Sequence, residues 1–137
     1  MLKSEKNPLL IAMEEYLNAG LEMDLEKLET IYAPNFENIR FDTSGRTINI
    51  TKEQFMQRFR NMNDQGKKLD SIDDVEFLTT TIYDNHGSVI MRRIKDGSPV
   101  LYNFVWIMKD GLPFSLVREF TFVEDLSYLI NMIHKSD

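Results

Sequence analysis

Cysteine is absent from the 137-residue chain, which removes thiol nucleophiles, thiolate metal sites and a disulfide framework together. Histidine is almost absent: His86 and His134 are the pair present, and they lie too far apart in sequence to suggest a ligand set. No stretch approaches the roughly 20 apolar residues that a membrane-spanning helix needs. The apolar run from Leu9 to Met13 stops at Glu14, short of the apolar segment of a secretory signal. Positive charge is in deficit, with 16 Lys and Arg against 22 Asp and Glu for a net charge of −6. Nucleic acid and anionic membrane both require a cationic footprint. The expectation from these absences is a cytoplasmic protein with no metal or cofactor and with neither nucleic acid nor membrane as partner.

What is present suits one globular domain. Apolar residues make up 42% and charged residues 28%, a composition that folds without staples at a length burying roughly two-thirds of the unfolded surface. A single domain over residues 1–137 is expected, with 1–7 as an N-terminal tail and 124–137 as a C-terminal helix. Asn7 and Pro8 read as the cap and first position of a helix, with Leu9, Leu10, Met13, Leu17 and Leu21 on one stripe. Asp24 caps a second helix, with Leu25, Leu28 and Ile31-Tyr32 inward and Pro34 as its stop. Two short β-like runs follow, Asn38 to Phe41 and Arg46 to Ile50, around a Ser44-Gly45 turn. Thr51 and Gln54 form a capping box that opens a third helix carrying Phe55, Phe59 and Met62.

From Ser71 the period changes to alternation, and turn signals at Asp84–Gly87, Asp96-Gly97 and Lys109–Gly111 divide the rest into an antiparallel meander. Asp125 is the expected cap of the tail helix, with Leu126, Leu129, Ile130 and Ile133 on one face. The strand from Leu101 to Met108 is apolar or aromatic at nearly every position, as are Leu116, Val117, Phe120, Phe122 and Val123. An antiparallel strand of that kind must be covered on both faces, and helices supply one cover. A homodimer built on the outer sheet face, or the tail helix, supplies the other.

Helix, helix, short strands, helix and then a meander is an order that resembles the nuclear transport factor 2-like superfamily. Local pieces are similar too. Residues 16–28 resemble its first helix running into its second, Ile31-Tyr32-Ala33-Pro34-Asn35-Phe36 its helix exit, Thr51–Phe55 its third helix start, and Lys109–Gly111 with Arg118-Glu119-Phe120 its last hairpin. The resemblance covers roughly residues 8–123. It implies an α+β, cone-shaped, barrel-like fold in which a curved, mostly antiparallel sheet wraps three N-terminal helices and leaves a pocket at the wide end. Members range from ketosteroid isomerase and SnoaL-like polyketide cyclases to non-catalytic binding and interaction proteins, so fold alone assigns no activity.

Ketosteroid isomerase chemistry needs a carboxylate base and two oxyanion donors in a dry site. By resemblance, Tyr16 falls at the oxyanion tyrosine and Tyr32 at its supporting tyrosine, while the third tyrosine of that network is replaced by Phe59. The position of the general base holds Arg40, and the second donor falls near Phe104 or Val105. Asp42 and Glu37 are the carboxylates left as base candidates. An epoxide-hydrolase arrangement of Asp, Arg and Asp is also not met, because Arg92 and Arg93 lack a partner acid two residues away. The favoured expectation is therefore a pocket for a small apolar or aromatic ligand bearing one anionic or carbonyl group. Tyr16, Tyr32, Phe36, Phe55, Phe59, Phe104, Trp106 and Phe120 would line it, with Arg118 and Arg40 as polar anchors. The alternatives are an isomerase- or cyclase-like enzyme and a protein-interaction module. For Arg118, an ion pair with Glu37 or Asp42 competes with the ligand role.

Overall fold

The computed structural model describes residues 7–127 and 129–131. Three helices, α1 (Pro8–Leu21), α2 (Leu25–Ile31) and α3 (Lys52–Asp64), lie against a six-stranded sheet. Its strands are β1 (Tyr32–Asp42), β2 (Thr47–Thr51), β3 (Glu76–Tyr83), β4 (His86–Lys95), β5 (Ser98–Lys109) and β6 (Leu112–Val123). Their spatial order is β2-β1-β6-β5-β4-β3, and only the β1–β6 pair is parallel among the described strands. The sheet is curved and unclosed, the α+β cone expected from the sequence.

The helix ends follow from local chemistry. The Asn7 side chain accepts from Leu9 N at the start of α1, and Asp24 accepts from Lys27 N at the start of α2. Helix α2 ends one residue earlier than its apolar face suggested. Tyr32 has extended backbone (φ −71°, ψ 130°) and opens β1, because Pro34 disfavours helical geometry at Ala33 and leaves no room for a further turn. At α3 the capping box is complete: Gln54 N donates to Thr51 Oγ1 at 3.2 Å and Thr51 N to Gln54 Oε1 at 2.9 Å.

The meander β3 to β6 forms as its alternation requires, and two of its turns place Asp96-Gly97 and Asp110-Gly111 at positive φ, the geometry that matches strand twist in tight hairpins. Edge strand β3 departs from simple alternation. A register shift between Phe77 and Thr79 leaves Phe77 facing in but Thr79 and Thr81 exposed, as an edge bulge does. One glycine is required by packing: a Cβ on Gly87 would stand 2.6 Å from Leu9 Cδ2 and 3.0 Å from Met108 Sδ, so α1 meets β4 there at van der Waals limit.

The core is the space between helices and inner sheet face. Leu9, Leu10 and Met13 of α1, Leu28 of α2 and Phe36 of β1 are essentially solvent-free, as are Val89, Met91, Phe104 and Leu116 across the meander. The tail packs as well: Leu126 and Leu129 are buried, and residues 129–131 are helical. Ile133, expected on the same face, lies outside the described residues. The carboxylate of Asp42 holds the tail's entry. It accepts from Ser44 N, Ser44 Oγ, Arg46 N, Arg46 Nε and Leu126 N at 2.7 to 3.1 Å. Removal from water opposes its charge, but the donors of Ser44, Arg46 and Leu126 outweigh that and hold it well below the usual carboxylate range. Arg46 also clamps Asp125 and Ser127. No described helix is long and apolar enough to cross a membrane.

Candidate functional site

Tyr16 projects from the apolar stripe of α1 into the cone. Its hydroxyl donates to Glu119 Oε1 on β6 at 2.7 Å. A second contact of 2.7 Å joins it to the hydroxyl of Tyr32. A phenol has one proton, so Tyr32 must be the donor in that pair. From the other side, Asn38 Nδ2 donates to Glu119 Oε2 at 3.1 Å and to Thr121 Oγ1 at 3.2 Å. Arg40 Nε donates to Asn38 Oδ1 at 2.7 Å, fixing the orientation of that amide. Two donor chains, Tyr32–Tyr16 and Arg40–Asn38, thus converge on one buried carboxyl group.

Glu119 is 6% exposed. Burial pushes its carboxyl above the usual range, while the Tyr16 hydrogen bond and the Arg40 charge restrain the rise. Burial and the nearby Glu119 charge push the Tyr16 and Tyr32 hydroxyls well above the ordinary phenol value. Both tyrosines therefore act as neutral donors at physiological pH.

In front of this network lies a cavity of about 170 Å³, partly open to solvent. Phe55, Phe59 and Leu17 from the helices, Leu69 and Ile72 from the segment after α3, and Met91 and Phe104 from the sheet form its apolar wall. Its polar lining comes from Tyr16, Glu119, Arg40, Tyr102, Arg93, Lys95 and Asp70. Arg93 Nη2 bonds to Ser71 O at 2.5 Å and Asp74 at 3.1 Å, and Lys95 stands 3.6 Å from Asp70. Burial, with the Glu119 charge, raises the Tyr102 hydroxyl to about 12 against the opposing pull of Arg93 and Arg40. A second, shallower depression between α2 and α3 is lined by charged ends such as Lys52, Glu53 and Arg60. Lys52 is already engaged there by the carbonyls of Glu29 and Tyr32.

The residues singled out from sequence separate into groups. Tyr16, Arg40, Phe55, Phe59 and Phe104 line the cavity. Tyr32 and Phe36 stand behind it in an aromatic cluster, with rings 4.3 Å apart and Phe55 within 6 Å of both. Trp106 is buried, and its indole N–H has no partner among the described residues. Arg118 lies away from the cavity. Its Nη1 donates to Asn35 O and Val117 O at 2.7 Å, and Nη2 is 3.5 Å from Glu37. Phe120 is on the outer face, stacked with Phe41 at 6.3 Å. Asp42 belongs to the tail anchor, and Glu37 to the Arg118 pair, so neither carboxylate reaches the cavity lining. The carboxylate that does is Glu119. Its signal in the sequence was its adjacency to Arg118 on a strand, since neighbours on a strand face opposite ways.

No family model matches the sequence, and no curated protein matches it by sequence. Solved structures do match in shape. An NTF2-like protein of unknown function from Silicibacter pomeroyi superposes with a TM-score of 0.65 at 13% identity, covering 88% of this chain and 98% of that one. An NTF2-like protein from Cytophaga hutchinsonii gives 0.64 at 20% identity, covering 88% and 99%. A de novo designed NTF2 fold protein gives 0.52 at 13% identity over 96% and 95%. The helix order, the unclosed sheet and these neighbours agree: the chain has a nuclear transport factor 2-like fold.

Proposed function

We propose that the protein binds a small molecule with an apolar or aromatic body and one polar end, taken into the cone with the polar end toward β1 and β6. The observation that carries this reading is a half-buried guanidinium, Arg40, in a cavity whose opposite wall is aromatic. Pockets with an apolar lining and a few convergent polar groups are the usual form of small-molecule sites. The volume of about 170 Å³ limits the enclosed body to about one ring, since an apolar cavity of roughly 150 Å³ takes up benzene. Thermal unfolding in the presence of a panel of aromatic acids and polyketide-like compounds tests it. Ligands that bind the folded state raise the transition temperature; no rise with any member of the panel would sink the reading.

A second reading, a SnoaL-like or isomerase-like enzyme, is favoured by one feature: Glu119 is a desolvated carboxyl with a raised pKa at the cavity wall, as proton-transfer sites require. Tyr16 would polarise a substrate carbonyl, and Glu119 would carry the proton in place of Asp42 or Glu37. The test is exchange of the α-protons of ring ketones for deuterium, present with the wild type and lost in Glu119→Gln.

Association into a homodimer through the outer sheet face is part of the same proposal. On β6 the inward positions Glu119 and Thr121 are polar and the outward ones, Phe120 and Phe122, are apolar. Phe122 stacks on Phe41 at 5.2 Å yet is 47% exposed, and Leu101 beside it is 41% exposed. An apolar stripe of this kind is what a second copy would cover.

A further inference from the structure

Three polar groups along the cavity wall have unmatched hydrogen-bonding capacity. Among the described residues, Arg40 bonds through Nε alone, leaving both Nη groups without a protein partner. Tyr102 lines the same cavity, and its hydroxyl takes part in no hydrogen bond among the described residues. Arg93, nine-tenths buried and also in the lining, has a solvent-free Nε with no partner among the described residues. The sheet register brings these groups together. Arg40 pairs with Thr121, and Thr121 with Tyr102, so Arg40 and Tyr102 flank one residue in a lateral row across β1, β6 and β5. Arg93 is on the next strand, β4, beyond the Met91 that pairs with Tyr102.

Buried donors are expected to be satisfied, and a planar guanidinium beside a phenol matches a carboxylate in geometry and charge. We propose that the ligand's polar end is a carboxylate, seated on Arg40 and Tyr102, and that its binding is accompanied by uptake of a proton by Glu119. This rests on the small-molecule reading above and names its ligand class. The coupling is electrostatic. Arg40 is the cation that offsets the Glu119 charge, and a ligand carboxylate competes for it. Two carboxylates then share one guanidinium in a site of low dielectric, where like charges favour protonation of one. The groups facing Glu119 are Tyr16 of α1, Tyr32, Asn38 and Arg40 of β1, and Tyr102 of β5. Arg93 and Lys95 of β4 and Asp70 complete the charged lining, each with a partner of opposite charge. Arg40 and Glu119 are therefore the charges whose balance an incoming anion upsets.

The balance is simple: one proton passes from solvent to a Glu119 oxygen, and the ligand stays ionised on Arg40. Calorimetric titration with cinnamate, in two buffers of different ionisation enthalpy at neutral pH, reads the proton directly. Cinnamamide is the neutral control of the same shape. Expected are saturable binding of cinnamate at least tenfold tighter than the amide, a heat that differs between buffers in the direction of proton uptake, and an affinity that rises as pH falls. Arg40→Gln should reduce the preference for the acid to within a few-fold, and Glu119→Gln should bind cinnamate with no buffer dependence. Equal binding of acid and amide, or heats independent of buffer in the wild type, overturns the inference while leaving the pocket reading in place. Saturable binding of neither probe, together with no thermal shift from the panel, removes both. Should Glu119→Gln fail to fold, the wild-type buffer pair and Arg40→Gln decide the matter alone.

Discussion

The Tyr16 hydroxyl stands 2.7 Å from Glu119 Oε1, joining the first helix to the last strand between residues 103 positions apart. That bond ties α1 to β6 across the interior of the cone. Tyr16→Phe removes the donor to Glu119 Oε1 and the acceptor of Tyr32 at once, leaving Glu119 with Asn38 as its side-chain donor and the Tyr32 hydroxyl short of a partner. The expected loss of stability is about 1–3 kcal/mol, measured by chemical denaturation. Tyr32→Phe should cost less, because Glu119 keeps both its donors, Tyr16 and Asn38.

Glu119 also gives folding a pH dependence of known sign. Its folded pKa is raised above its unfolded value of 4.5, so its contribution is fully present below the ordinary glutamate range and is lost as pH rises through the folded value. Glu119→Gln abolishes that loss. The stability difference between wild type and variant should therefore move toward the variant from acid to neutral pH, and a difference flat in pH would contradict the raised pKa. Asp74 behaves oppositely: the Arg93 hydrogen bond lowers it to about 2, and its contribution is lost as pH falls from the ordinary aspartate range toward that value.

The Asp42 anchor predicts a local rather than global effect. Asp42→Ala strips Leu126 N of its acceptor and frees Arg46 from one of its two carboxylate partners. Amide hydrogen exchange should accelerate at Leu126, Leu129 and Ile130, with β4 and β5 protected as before. Unchanged exchange in the tail would mean that Leu126 and Leu129 hold it by packing alone.

The outer face carries the prediction about assembly. Sedimentation should give a dimer at micromolar concentration, and Phe122→Glu, which puts charge into the exposed stack with Phe41, should give a folded monomer. A wild type that sediments as a monomer removes the partner.

Much of this architecture was legible because hydrophobic period and caps agreed: the stripe of α1, the Thr51–Gln54 box and the Asp-Gly turns each formed as read. The end of α2 was misread by one residue because the apolar character of Tyr32 serves a strand as well as a helix. The cavity was only half legible. Phe55, Phe59 and Phe104 could be named from a helix face and the aromatic strand, and Tyr16 and Arg40 from the resemblance; all five line the cavity. Strand β6 inverts the usual rule. Its apolar Phe120 and Phe122 face out and its Glu119 faces in, so a reading that sent aromatics to the interior carried Arg118 there with them. The register shifts between Val105 and Met108, opposite β6, lie beyond what sequence period can reveal. The Tyr16–Glu119 pairing is a property of how α1 packs on the assembled sheet rather than of any segment.

The central claim, that the cone encloses a site for a small carboxylate, is met most directly by a crystal structure of the protein grown with cinnamate. The account predicts a ring between Phe55, Phe59 and Phe104, with carboxylate oxygens at hydrogen-bond distance from Arg40 and Tyr102. An interior filled by the protein's own side chains, with the additive nowhere near Arg40, would contradict it.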